Sequence, residues 1–172
     1  MTKKSRFIPI SLSMSKDVYY RGIVGKYDPN KFGDIIWVTK DWDYAKLYAE
    51  SEENIHSFHI SRKNSFDFGF RTLQVHVKIS DIVERVKRGV MDAFVAKSIR
   101  KERAMLLSDK LADIEDSYPK SMLKAWEWIQ KSQKDIIPIL KELGYDSIAT
   151  REGQGNDITA YGLFNKKQIT KI

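Results

Sequence analysis

The side chains best suited to chemistry lie in residues 18–50. This stretch holds one arginine, Arg21, one threonine, Thr39, two tryptophans and five tyrosines. A guanidinium presents its donors in a planar fork that matches phosphate groups, and aromatic rings commonly wall the sites that bind small molecules. The stretch therefore suits either a nucleotide site or an aromatic core, and the remaining sequence has to decide between them.

Several common catalytic and metal-binding patterns do not occur in the sequence. It has no glycine-rich phosphate loop of either standard type and no nucleophile elbow. It has no cysteine, which excludes disulfides and thiolate ligands. The three histidines, His56, His59 and His76, fall on predicted strands. Because residues three apart on a strand face opposite sides, we expect His56 and His59 to share no metal ion.

The composition is typical of one globular domain. The chain has 172 residues, of which 42% are hydrophobic, with only 9 glycines and 4 prolines. Thirty Lys and Arg against 23 Asp and Glu give a net charge of +7. This charge favours an anionic partner such as a dinucleotide, a nucleic acid or an acidic protein surface, although it could equally serve solubility alone. We expect no membrane association, and a cytoplasmic protein, because neither a membrane-spanning run nor a secretory signal is recognisable.

The order of predicted elements is strands, then helices, then strands. Alternating and aromatic residues predict strands at 18–24 and 35–39, followed by a helix that Asp41 caps. Two further strands are predicted at 54–63 and 70–80. The chain ends in strands at 145–150 and 157–164. This order predicts an α+β fold in a single domain, residues 1–172, with a helical insertion at about 80–134.

The helical part divides into several predicted helices. The first begins at Ser80 or Asp81 as N-cap and is interrupted near Gly89. Another begins at Pro119, because proline favours the first turn of a helix. A short last helix spans 135–143, and Gly144 closes it.

Four segments in order carry a family resemblance: "YYRG", "IIWVTKDWDYAKLYAE", "ILKELGYDSIA" and "AYGLFNKKQITKI". Together they resemble ADP-ribosyltransferase domains of the small bacterial and phage type. In that family a first strand ends in Tyr-Arg-Gly or Tyr-His-Gly, and a second strand has an aromatic residue two before Thr or Ser. A helix with Ala-x-x-Tyr-Ala follows, and a Tyr-Val-Val-Phe-like strand comes last. Residues 80–134 match little of this plan.

The resemblance implies a split β-sandwich that holds NAD+ in a cleft between two small sheets. Cleavage of the nicotinamide–ribose bond gives the sugar oxocarbenium character, so such a site needs negative charge near the ribose. Arg21 corresponds to the first-strand arginine that binds the phosphates or ribose of NAD+. Gly22 would let the nicotinamide amide approach the backbone. Thr39 would support the ribose or the catalytic acid.

Two aromatic residues complete the expected cofactor site. Trp37 occupies the aromatic position of the second strand, where a core role competes with a stacking role. Tyr48 would cover the nicotinamide ring or, equally, pack on a helix face.

The catalytic acid departs from the family pattern. The family's usual glutamate falls in the register of Ala160, so the resemblance leaves Asp157, at the entrance to the last strand, and Glu152, in the preceding loop. We prefer Asp157, although its side chain is one methylene shorter than that of glutamate. If neither carboxylate reaches the cleft, the domain binds NAD+ without cleaving it.

The implied function is mono-ADP-ribosylation of an intracellular macromolecule, either protein or nucleic acid. The compact, lysine-rich chain suits a phage or bacterial effector, which would act in the host cytoplasm if phage-encoded. Hydrolysis of NAD+ at the same site is one alternative. The other is a non-catalytic, basic module that binds nucleic acid or protein on the same scaffold, because fold does not fix function.

Overall fold

The computed structural model describes residues 17–151 and 158–172. Within these residues the chain forms a mixed α+β fold with a mostly antiparallel seven-stranded sheet, a two-stranded ribbon and four α-helices. The α+β prediction is therefore confirmed. The strands are β1 (Tyr19–Gly22), β2 (Ile36–Thr39), β3 (Ile55–Ile60), β4 (Ser65–Asp67), β5 (His76–Val77), β6 (Leu123–Lys124), β7 (Ser147–Arg151), β8 (Ile158–Leu163) and β9 (Ile169–Lys171). The helices are α1 (Trp42–Lys46), α2 (Ile79–Val95), α3 (Lys101–Ser117) and α4 (Ala125–Glu142).

The large sheet joins strands from both ends of the chain. Its order is β4-β7-β8-β2-β1-β3-β9, and β5 and β6 form the separate ribbon. Within the described sheet β4 and β7 are parallel, and the other neighbours are antiparallel. The strands expected to form two small sheets are thus hydrogen-bonded into one.

The weakest junction of this sheet lies between β1 and β2. Among the described residues these strands share one register pair, Tyr20 with Thr39, whereas β1 pairs with β3 at four positions. Continued antiparallel pairing would place Gly22 opposite Trp37. Instead β1 leaves β2 after Tyr20, which nearly divides the sheet in two.

Alternation along β2 supplies both hydrophobic cores. Ile36 and Val38 face a small core with Tyr19, Tyr161 and Leu163. Ile35 lies in the larger core, and Trp37 packs against it. That core is made mainly by the sheet and the inner faces of α2 and α4, as in Ile82, Val86, Trp128, Leu140 and Ile148.

Helix α4 is one continuous helix from Ala125 to Glu142, so the prediction of two helices here is wrong. Pro138 lies inside it and is exposed. An internal proline costs about 3 kcal/mol because it lacks an N–H. The helix continues because Ile136, Ile137, Ile139 and Leu140 are all buried in the larger core. The predicted start at Pro119 is also wrong, since residues 123–124 form β6 first.

Helix α2 also differs from its prediction. Its N-cap is Lys78, not Ser80 or Asp81, and the Asp81 carboxylate accepts a hydrogen bond from the Lys78 N–H at 2.8 Å. Gly89 does not interrupt it. A Cβ at Gly89 would lie 3.1 Å from the Phe66 ring, so the glycine allows β4 to pack closely against the helix.

The predicted strand at 70–80 is reduced to His76–Val77, and β4 forms where a connection was expected. Strand β4 forms because residues 65–67 pair in parallel with β7, a contact between residues distant in sequence. The Asp41 cap and the closure by Gly144, with φ of 93°, agree with their predictions, but the helix after Asp41 ends at Lys46, before the expected helical positions Tyr48 and Ala49.

The last turn of α1 lies against β1 at Gly22. A Cβ on this residue would collide with the Ala45 carbonyl oxygen and lie 2.9 Å from the Ala49 nitrogen. Both atoms belong to the backbone, so no side chain can move aside.

Gly22→Ala is expected to lower the free energy of unfolding by about 2 kcal/mol or more, because the new methyl group has no space. Denaturant unfolding measures this. Gly33→Ala is the matched control, since its Cβ would meet no other atom closer than 4.0 Å; we expect a change below about 1 kcal/mol. Equal stabilities of the two variants would contradict the described packing of α1 on β1.

Tyr118 connects the end of α3 to α4. Its hydroxyl donates to the Asp135 carboxylate at 2.6 Å, and its ring packs edge-on against Trp128. Burial and this hydrogen bond raise the pKa of Tyr118 to about 12 from 10.0.

Because the pKa is higher in the folded protein than in the unfolded chain, the stabilisation by Tyr118 is complete below pH 10 and is lost as the pH rises towards about 12. We therefore expect Tyr118→Phe to remove one late-titrating group from the tyrosinate absorbance and to flatten the loss of stability over this range. Titration of every tyrosine near its ordinary pKa would contradict the contact.

Candidate functional site

A cavity of about 470 Å³ lies between the sheet and α4. We call it the central cavity. Residues of β1, β2, α1, α4, β7 and β8 line it. Five residues that the sequence singled out contribute to its wall: Arg21, Gly22, Trp37, Thr39 and Tyr48.

Thr39 stands at the middle of this wall. It is buried, and it pairs with Tyr20 of β1 on one side and Ala160 of β8 on the other. Its hydroxyl accepts a hydrogen bond from the Asp41 N–H at 3.0 Å. Asp41 in turn caps α1 by accepting from the Tyr44 N–H at 3.0 Å. Thr39 thus connects the end of β2 to the helix that closes the cavity.

Arg21 occupies the gap where β1 and β2 separate. Its Nη1 donates to the Trp37 carbonyl at 2.9 Å, and its guanidinium carbon lies 5.3 Å from the centre of the Phe32 ring. Its Nε is buried and has no hydrogen-bond partner among the described residues. Burial lowers the pKa of Arg21, an effect that nearby Tyr27 opposes. Since a guanidinium stays charged in proteins, the site contains a partly desolvated cation with an unused donor.

Tyr44 of α1 and Tyr48, which follows the end of that helix, form an aromatic edge of the cavity. Tyr44 and Tyr48 share a hydrogen bond between their hydroxyls at 3.1 Å, and their rings meet edge-on. Tyr48 is 54% exposed, so part of this residue is accessible to a ligand in the cavity. Gly22 also lines the cavity. A glycine is needed at this position because α1 packs too closely against it to leave space for a side chain.

Trp37 lies over β8. A Cβ on Gly162, its partner in the ladder, would lie 3.0 Å from the indole ring. Glycine at position 162 therefore leaves room for the indole ring beside β8. Trp37 packs against the larger core and lines the cavity as well, so the core and wall roles coexist.

Helix α4 supplies a wall that the sequence interpretation missed. Trp126, Gln130 and Gln133 line the cavity and lie on one helix face, at spacings of four and three. The signal was present in the pattern of aromatic and amide residues. The resemblance does not predict this wall because it leaves residues 80–134 as an insertion apart from the site. The buried neighbour Trp128 donates from Nε1 to the Val77 carbonyl at 2.9 Å and is a core residue.

The wall also includes Thr150 of β7 and Ala160 of β8, which are paired across the two strands. Ala160 is thus the residue that stands in the cavity at the register of the family's usual glutamate. The candidate acids Glu152 and Asp157 lie outside the described residues. No described residue of the cavity wall carries a carboxylate.

The described residues therefore support binding of a ligand that is partly planar and partly anionic. They offer one cation, several aromatic faces and three side-chain amides, Gln74, Gln130 and Gln133. They include no group of His, Asp or Glu side chains that could hold a metal ion. No helix among them is long and apolar enough to cross a membrane.

Comparison of the chain with protein-family models, with curated proteins and with solved structures gives no match.

The bond from Arg21 to the Trp37 carbonyl is expected to stabilise the β1–β2 junction. Arg21→Met should lower the free energy of unfolding by about 1–2 kcal/mol, because a charge-assisted hydrogen bond is lost while the cost of burying the cation is relieved. Chemical denaturation measures this. Arg88→Met, on the exposed face of α2, is the control and should change stability by less than about 0.5 kcal/mol. An unchanged midpoint for Arg21→Met would show that the bond contributes nothing to the junction.

Proposed function

We propose that the protein is a mono-ADP-ribosyltransferase that binds NAD+ in the central cavity and transfers ADP-ribose to an intracellular macromolecule. One observation carries this proposal. Residues from two of the four segments, at positions 21–22, 37–39 and 48, line a single cavity together with Ala160 of the last segment. The cavity volume of about 470 Å³ falls within the usual range of ligand sites.

An ADP-ribosyltransferase-like split β-sandwich is part of the proposal. The single register pair between β1 and β2 supports it, because a sheet that nearly separates there can act as two halves. The cavity opens beside that junction, with β2 and β8 on one side and β1 on the other.

Arg21 is the proposed anchor for NAD+. Its buried Nε–H has no partner among the described residues, and such a donor is costly unless a ligand accepts from it. We assign a phosphate or ribose oxygen of NAD+ to the guanidinium of Arg21, a residue that lines the central cavity. Trp37 and Tyr48 offer apolar faces to the nicotinamide or its ribose, while Thr39 and Gly22 shape the wall beside it.

The proposed reaction breaks the bond between the nicotinamide nitrogen and ribose C1′. The bonding electrons leave with nicotinamide, which becomes neutral, and positive charge develops on the ribose. A nucleophile of the acceptor then forms a bond to C1′ and loses its proton. A carboxylate facing the ribose would stabilise the cation, and we assign it to Asp157 or Glu152. Both belong to the segment that joins Thr150 to Ala160, the two wall residues of β7 and β8.

Two alternatives use the same cavity. In an NAD+ glycohydrolase, water replaces the acceptor nucleophile. In a non-catalytic module, the cavity binds without cleavage and the basic surface contacts nucleic acid or protein. The second is favoured by one observation, the absence of a carboxylate from the described part of the cavity wall.

The test uses NAD+ labelled on its adenylate, incubated with the protein and a bacterial lysate. We expect label on macromolecules, and its release by protease or by nuclease identifies the acceptor class. Asp157→Asn should lower transfer at least tenfold, and Glu152→Gln should lower it less if Asp157 is the acid. Arg21→Met should weaken NAD+ binding, while Arg88→Met should match the wild type.

The competing functions give different results in the same assay. Release of nicotinamide without labelled macromolecules indicates a glycohydrolase. Binding of NAD+ without its consumption indicates the non-catalytic module. If the wild-type protein neither binds nor consumes NAD+, the proposed function is wrong.

A further inference from the structure

A second cavity, of about 550 Å³, adjoins the central one. We call it the lysine cavity, because Lys134 and Lys141 of α4 and Lys166, in the turn after β8, line it. Gly33 and Gln133 line both cavities. Phe32, whose ring lies against the Arg21 guanidinium, lines the lysine cavity, while Arg21 lines the central one. The two cavities therefore meet at this arginine–aromatic contact.

The charge of the lysine cavity is unbalanced. Its three ammonium groups are exposed, and none forms an ion pair with a described residue. Asp34 is the one carboxylate among the described residues that line it. The cavity also presents the side-chain amides of Asn30, Gln133 and Asn165. Lysines held on a concave surface with amide donors produce a stronger local positive potential than the same lysines scattered on a convex one.

The lysines also come from separate parts of the chain. Lys134 and Lys141 lie two helical turns apart on α4, whereas Lys166 follows the last strand that lines the central cavity. Folding brings these three lysines together at one cavity. Lysines that serve only solubility need no such arrangement.

We propose that the lysine cavity is a phosphate-binding subsite. Ammonium groups act as point charges towards phosphate oxygens, and amide N–H groups add directed hydrogen bonds. The phosphate belongs either to the ligand of the central cavity or to the backbone of a nucleic acid bound beside it. The inference depends on the charge of the lysine cavity and does not require that the protein transfer ADP-ribose.

The test compares two triple variants in equilibrium binding. Lys134→Gln/Lys141→Gln/Lys166→Gln removes the charges of the lysine cavity. Lys101→Gln/Lys110→Gln/Lys120→Gln removes three exposed charges that line neither cavity and is the matched control. The probes are ADP-ribose, a short single-stranded DNA and, as an uncharged reference, adenosine, each measured at several salt concentrations.

We expect the cavity variant to bind at least one phosphate-bearing probe about tenfold or more weakly, while the control variant stays within about twofold. For DNA the slope of log affinity against log salt should fall by about two units, because each lysine–phosphate contact contributes about 0.7. Adenosine binding should not change. Loss of ADP-ribose binding alone assigns the phosphate to the ligand of the central cavity, and loss of DNA binding alone assigns it to a nucleic acid.

An equal loss of affinity in both triple variants would show that only the net charge of the protein matters, and it would overturn the inference. So would unchanged binding in the cavity variant, or wild-type protein that binds neither phosphate probe at millimolar concentration. Circular dichroism and a thermal melt verify that both variants are folded. Because the readout is binding, the subsite can be supported even if the assay for ADP-ribosyl transfer fails.

Discussion

The site depends on the point at which β1 stops pairing with β2. After Tyr20 and Thr39 the ladder does not continue, and the Trp37 carbonyl accepts from the Arg21 guanidinium. Gly22, which continued pairing would place opposite Trp37, lies instead against the last turn of α1. One arginine and one glycine thus occupy the positions where regular pairing would have closed the sheet. The central cavity lies beside this junction, and both residues line it.

This arrangement leaves the molecule with an incompletely satisfied cation. A buried donor without a partner costs free energy, and native structures contain few of them. An aliphatic residue at position 21 would avoid the burial of charge and give up the bond to Trp37. The hydrogen bond to the Trp37 carbonyl therefore satisfies only part of this guanidinium, and its Nε has no partner among the described residues. The lysines of the neighbouring cavity are exposed, so their ammonium groups remain hydrated when no ligand is bound. They therefore suit a ligand that binds reversibly.

The sequence predicted the parts of the fold that local chemistry determines. The α+β class, β1, β2, the Asp41 cap and the Gly144 closure follow from alternation and capping residues within a few positions of each other. It failed where distant contacts overrule local preference. Helix α4 passes through Pro138 because the residues around it are buried, and β4 exists because β7 lies beside it. For the same reason the sequence does not predict the α4 wall of the cavity, although the five residues of the expected cofactor site, Arg21, Gly22, Trp37, Thr39 and Tyr48, do line it.

Ala160 occupies the register at which the resemblance expects a carboxylate, so the described cavity wall has none there. Its register with Thr39 and Thr150 puts a methyl group on the cavity wall where the resemblance expects a carboxylate. The features proposed for binding, Arg21 and the aromatic edges, belong to described strands and helices and do not depend on position 160. In the proposed reaction the ribosyl cation needs a carboxylate, which we assign to Asp157 or Glu152. Under the proposed function, binding and cleavage would therefore draw on different segments, and a change in residues 152–157 would abolish cleavage while leaving the ligand bound.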